Sequence, residues 1–149
     1  MIVRLLGRFF GSGLSPIMPG TCGSIAATLT LLLVPDQHYA VVCAALALLT
    51  TLTGPALARS FMAGRESKDP QDFVWDEAAG IYIAAWRPES PSWQGLVIAL
   101  VLFRIFDMTK PWPIRRIERL PGGYGVVYDD VVAGLIALAL GLLLQDRLF

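Results

Sequence analysis

The sequence predicts an all-α protein: a compact multihelical bundle, membrane-associated, with its polar motif loops gathered at one end. Three observations carry that expectation. The chain has 149 residues, room for a single domain over residues 1–149. Residues of the AVILMFWYC set make up 55% of it and Asp, Glu, Lys and Arg only 16%, against roughly 25% charged in ordinary soluble domains; mean hydropathy is +0.59. Most of the charge falls in two blocks, residues 59–77 and 104–130. Disorder is excluded by the apolar content. Twelve basic residues cancel twelve acidic ones, so no net field draws the chain to nucleic acid, and nothing in the sequence points to a protein partner.

The elements follow in order. The N-terminal run MIVRLLGRFFGSGLSP is broken by Arg4 and Arg8 and lacks a cleavage-site pattern, so it reads as an amphipathic stretch on a membrane surface and not as a signal peptide. Five uncharged segments then read as helices: residues 25–34, 37–58, 78–86, 90–103 and 131–145. Residues 41–53 and 131–144 are apolar on every face, which a single buried stripe does not require. A bilayer span needs about 20 residues. Only 37–58 reaches that length, and Gly54-Pro55 interrupts it. Cys22 and Cys43 frame no metal-ligand pair and are expected to stay reduced.

If each segment is one helix, with turns at Pro35-Asp36 and at residues 88–91, the chain runs up and down. Three polar, Gly- and Pro-rich loops then collect at one end. The first reads Gly11-Ser12-Gly13-Leu14-Ser15-Pro16, then Pro19-Gly20-Thr21-Cys22-Gly23-Ser24. Glycines allow close backbone approach, and a Ser at a helix start leaves N–H groups suited to an anion; a cap and turn explain the same residues. In Trp75-Asp76-Glu77-Ala78-Ala79-Gly80, two acids open an apolar helix, and Gly80 lets a neighbour approach. Arg104 and Asp107 share a face at i, i+3 on a closing helical turn, with Lys110 just beyond. A carboxylate there opposes the helix dipole, so Asp107 needs another partner. In Gly122-Gly123-Tyr124-Gly125-Val126-Val127-Tyr128-Asp129-Asp130, paired acids again open an apolar helix, behind a glycine loop. Paired acids at an apolar mouth repel and resist desolvation, and a hard divalent cation such as Mg²⁺ relieves both.

Elimination narrows the reaction class. The single histidine, His38, lies in the turn at the opposite end. Cys22 and Cys43 lack an Arg six positions on, Asp107 is followed at 109 by Thr, and neither a GxSxG elbow nor a Walker A loop occurs. Carboxylates, one Lys, one Arg and glycine loops remain, an inventory that suits metal-assisted hydrolysis of a phosphate ester.

Taken together the motifs resemble the phosphatidylglycerophosphatase A family. GSGLSP…PGTCGS, WDEAAG, FRIFDMTKPWPI and GGYGVVYDDVVAG look like its four blocks, in order and at similar spacing, from Gly11 to Gly134. The resemblance implies a Mg²⁺-dependent, membrane-linked enzyme that dephosphorylates phosphatidylglycerophosphate to phosphatidylglycerol. It implicates Asp76, Glu77, Arg104, Asp107, Lys110, Asp129 and Asp130, with Thr21 and Ser24 matching the first block. The expected roles are Glu77, Asp107, Asp129 and Asp130 as ligands to one or two Mg²⁺ ions and Asp76 as a further ligand or supporting base. Arg104 and Lys110 would hold phosphoryl oxygens, with phosphate-binding help near Gly13, Thr21, Ser24, Gly123 and Gly125. Arg115, Arg116 and Arg119 would meet anionic head groups, each worth about 1 kcal/mol. They would face the active end to the cytoplasm from a bacterial inner (cytoplasmic) membrane. A same-fold phosphatase on a soluble phosphomonoester and a non-enzymatic membrane scaffold are the rival readings.

Overall fold

The computed structural model describes residues 1–65 and 70–148, with side chains through 144. Residues 66–69, part of the first charged block, and the side chain of Gln145 at the end of the last apolar segment lie outside the described residues. The helices are α1 (Ile2–Gly7), α2 (Pro19–Leu31), α3 (Tyr39–Met62), α4 (Trp75–Ala84), α5 (Trp93–Thr109), α6 (Ile114–Ile117) and α7 (Gly123–Leu148), with 3-10 turns at Phe9–Leu14 and Asp36–His38. All five uncharged segments are helical, and no strand occurs among the described residues.

All five differ from their expected bounds, and for four of them the structure gives a physical reason. α2 begins at Pro19, whose fixed φ and missing N–H suit the first helical turn. Thr21 and Ser24 therefore lie inside the helix and not in a loop before it. α3 runs straight through Gly54-Pro55; the expected interruption is absent, and both residues are buried where α7 packs closely, Gly54 beneath Val127. α7 begins at Gly123, so the expected glycine loop is the helix's own first turn. Asp129 and Asp130 consequently stand nearly two turns in and do not open the helix. α5 starts on a Ser92 cap whose Oγ accepts the Gly95 N–H (3.3 Å) and extends to Thr109, past the charged Arg104 and Asp107.

α4 is the central helix. It packs against α2, α3, α5 and α7, and eight of its residues, including Asp76, are buried. Its far end is held by the Tyr39 hydroxyl, which donates to the Ala85 carbonyl (2.9 Å), and by Arg87, which donates to the carbonyls of Ala84 (3.0 Å) and Trp86 (2.7 Å). These are the orphan C-terminal carbonyls that a buried helix end must satisfy. His38 sits at this end, and the chemistry-bearing loops sit at the other, as the topology count predicts. Cys22 and Cys43 are both free.

The outer faces are apolar. Val41, Leu48 and Leu52 on α3, Val97 and Val101 on α5, and Leu135 and Leu143 on α7 are exposed. Asp36–Met62 and Gly123–Leu144 are long and apolar enough to cross a membrane, and only 22% and 39% of their most apolar windows are buried. Helices hidden in a water-soluble core would be mostly buried; these face outward with Leu and Val.

Candidate active site

α4 and α7 cross backbone to backbone, and that crossing builds the site. A Cβ on Gly134 would lie 2.5 Å from the Gly80 carbonyl oxygen, and one on Gly80 would strike the Phe103 ring and come within 2.9 Å of the Asp130 carbonyl. Only glycines permit this approach. It sets the acidic start of α4 beside the acids of α7: Asp76, Glu77 and Asp130 each offer an oxygen, and these oxygens lie within 4.8 Å of one another. Asp76, Asp129 and Asp130 are 6%, 4% and 4% exposed. Asp76 Oδ1 accepts the Glu77 N–H and Asp129 Oδ1 accepts the Asp130 N–H, both at 3.0 Å. Each pair thus fixes its first carboxylate on the following amide.

Two cations meet this cluster. Arg104 donates to Asp107 Oδ2 at 2.6 Å, the i, i+3 pair that the spacing predicts. Gly20 at the start of α2 leaves room for Glu77 and Arg104, since a Cβ there would strike the Glu77 carboxylate and lie 3.4 Å from the guanidinium. Lys110 caps α5 in the left-handed conformation (φ 43°, ψ 58°). Its ammonium donates to Asp129 Oδ2 (2.7 Å) and to Glu118 Oε1 (2.6 Å).

Burial raises the Asp76 pKa well above the usual carboxylate range, and the adjacent Glu77 charge raises it further. Glu77 is pushed up to about 7, chiefly by burial, against the lowering effect of its hydrogen bond with Asp76. Burial would lower the Lys110 pKa, but its hydrogen bonds to Asp129 and Glu118 outweigh that and raise it. Glu77 Oε2, Arg104 Nε and Thr21 Oγ1 are buried without a hydrogen-bond partner among the described residues. An acceptor-only set of three oxygens, one with no donor, is what a hard divalent cation coordinates. The residues therefore fit such an ion.

A cavity of about 1010 Å³ opens over this cluster, lined by Asp76, Glu77, Arg104, Asp107, Lys110, Asp129 and Asp130 among others. Every catalytic and metal-ligand candidate from the sequence is in that wall. The division among them differs: Asp76 joins Glu77 and Asp130 in the tight oxygen cluster, whereas Asp107 and Asp129 are engaged by Arg104 and Lys110. Gly13, Thr21, Ser24, Gly123 and Gly125 all lie outside the cavity lining. Gly13 packs against the Asp72 carbonyl, Gly123 against that of Pro55, and Gly125 against those of Glu118 and Leu120. Ser24 is fully buried and donates to the Gly20 carbonyl (2.9 Å). The contacts of Gly13, Ser24, Gly123 and Gly125 in the structure are packing contacts and one backbone hydrogen bond. Glu118 was not singled out by sequence, because an acid among Arg115, Arg116 and Arg119 reads as a solvated charge run. The ion triad of Asp72 with Arg8 (2.8 Å) and Arg65 (2.7 Å), which ties the N-terminal turn to the cavity edge, had no local signal either.

The family model described as Phosphatidylglycerophosphatase A matches residues 5–145. Phosphatidylglycerophosphatase A of Escherichia coli (strain K12) is 40% identical over 138 residues, covering 90% of this chain and 78% of the relative. The Haemophilus influenzae protein of the same name is 36% identical, covering 91% and 84%. A Bacteroides thetaiotaomicron protein named "Putative phosphatidylinositol-3-phosphatase" is 38% identical, covering 91% and 89%. No solved structure matches the chain.

Proposed function

The chain belongs to the phosphatidylglycerophosphatase A family, and from that premise we propose that it hydrolyses phosphatidylglycerophosphate to phosphatidylglycerol and phosphate with Mg²⁺. It is a phosphoric monoester hydrolase by family. The observation that carries the reading is the convergence of Asp76, Glu77 and Asp130 within 4.8 Å at the foot of a cavity that also holds Arg104 and Lys110. A scaffold has no use for buried acids that resist desolvation.

Asp76, Glu77 and Asp130 would hold the metal, with Asp107 and Asp129 beside them. Bound there, Mg²⁺ supplies charge neutralisation at the phosphoryl group and lowers the pKa of water. The chain's own residues do the rest. Arg104, whose buried Nε lacks a partner among the described residues, and Lys110 bind phosphoryl oxygens as the charge on them grows. Asp107 aims Arg104, and Glu118 and Asp129 together aim Lys110. Asp107, whose Oδ2 accepts from Arg104, is the carboxylate assigned to take the proton from the attacking water.

The membrane setting follows from the outer surface. α5, with 17 residues, is roughly 25 Å long, and exposed Trp93 and Trp112 mark its two ends, as interfacial tryptophans do. Arg4, Arg59, Arg115, Arg116 and Arg119 are exposed at the site end. By the positive-inside tendency this end faces the cytoplasm from a bacterial inner membrane. The test is phosphate release from phosphatidylglycerophosphate in detergent, with Mg²⁺ and with chelator. Release that requires Mg²⁺ is expected; a folded preparation with no release, or with release indifferent to chelator, overturns the reading.

A further inference from the structure

Resting on that reading, we infer that the cavity wall at residues 119–122 is a subsite for the second, non-reacting phosphate of the substrate, and that Arg119 is its specificity-determining contact. A phosphatidylglycerophosphate headgroup carries two anions three carbons apart: the terminal phosphomonoester that is cleaved and the phosphodiester that joins the lipid. The cavity, about 1010 Å³, is at the upper end of the range that encloses whole drug-sized ligands. It is far larger than one phosphoryl group needs. Its wall continues past Lys110 through Glu118, Arg119, Leu120, Pro121 and Gly122.

Charge separates the four cations of that wall. Arg104 is paired with Asp107, Lys110 with Asp129 and Glu118, and Arg65 with Asp72. Among the described residues Arg119 has no carboxylate partner. Arg119 is exposed like its neighbours Arg115 and Arg116, but it lines the cavity and they do not.

Position brings Arg119 close to the reacting end. It follows Glu118 directly, and Glu118 is tied through the Lys110 ammonium to Asp129. Its backbone is fixed. Gly125 packs beneath it so tightly that a Cβ would lie 2.5 Å from both the Glu118 and Leu120 carbonyl oxygens. The Leu120 N–H donates to the Ile117 carbonyl (2.9 Å), and Gly122, at φ 65°, turns the chain into α7. A guanidinium launched from a rigid segment is pre-organised for a phosphodiester, whose two free oxygens match its planar fork. The subsite gives a soluble phosphomonoester no counterpart for Arg119.

The experiment compares wild type, Arg119→Ala and Arg119→Lys on a short-chain phosphatidylglycerophosphate in neutral detergent with Mg²⁺. Inorganic phosphate serves as a competitor that occupies only the reacting end. Arg119→Ala is expected to raise KM about tenfold or more, the loss of a hydrogen bond to a charged group, with kcat within about twofold, the signature of lost uniform binding. The inhibition constant of phosphate should stay unchanged, and Lys should restore part of the KM. An unchanged KM, or a phosphate constant that moves with it, overturns the subsite. Neutral detergent supplies no other anionic lipid, so a KM effect seen only after adding anionic lipid assigns Arg119 to the bilayer and also overturns it. A wild-type enzyme inactive on the lipid overturns the substrate reading itself, and the subsite with it.

Discussion

Glu77 is neutral at low pH and charged at high pH, and in the metal-free protein this difference should appear as heat stability. Its carboxyl moves from an ordinary 4.5 to about 7 in the fold. For a group whose folded pKa is raised, the stabilisation is fully present below the unfolded value and is lost as pH rises through the folded one. Between about pH 4.5 and 7 the protein should therefore lose about 3 kcal/mol on account of Glu77 alone, and Asp76, shifted the same way, adds to the slope. For a chain of this size that is roughly a 10 °C fall in Tm. The assay is thermal melting in neutral detergent with chelator from about pH 5 to pH 8, repeated with excess Mg²⁺. A cation competes with the proton for the same oxygens, so Mg²⁺ should raise Tm strongly at the alkaline end and little at the acid end. Glu77→Gln should flatten the metal-free slope. A Tm that is level across the range without metal, or a Mg²⁺ effect equal at both ends, refutes the reasoning.

Asp107→Asn should lower phosphate release by at least about a hundredfold while leaving the melting curve in place, since the amide still accepts from Arg104; near-normal turnover would remove Asp107 from the site. Gly134→Ala puts a methyl against the Gly80 carbonyl and should cost about 1–3 kcal/mol while weakening Mg²⁺ binding, measured by titration calorimetry. Lys110→Met strands the buried Asp129 carboxylate and should cost about 3 kcal/mol. Adding Asp129→Asn to that variant should recover most of the loss in a melting assay, and additive losses would show that the pair is not coupled.

The five helices were legible because a stretch without charge has one economical conformation in an apolar setting. Their limits were not. Charge marks a helix end only where charged groups seek water, and here Asp76, Arg104, Asp107, Asp129 and Asp130 are carried inside helices that pack around the cavity. For the same reason Gly54-Pro55 read as a break: next to α7, a residue without a side chain is a packing solution. The acids and the two cations were legible from their types and spacing. Which acids touch each other was not, because that depends on the Gly80–Gly134 crossing, a contact between residues 54 positions apart. Glu118 stayed hidden inside an arginine run read only for its attraction to anionic head groups, and the place of Arg119 in the cavity wall depends on packing that no local pattern shows.

The order in which the ribosome delivers these pieces gives the acid cluster a history. Asp76 and Glu77 emerge with α4, whereas Asp130 belongs to α7, the last of the helices described. During that interval the nascent chain carries two neighbouring acids on its central helix without the third. It also lacks the glycine surface against which α4 closes. On the proposed function, metal capture and hydrolysis would wait for α7. A chain truncated before α7 would keep Gly80 but lack both Gly134 and Asp130, and so would have only one half of the crossing that holds the acids together.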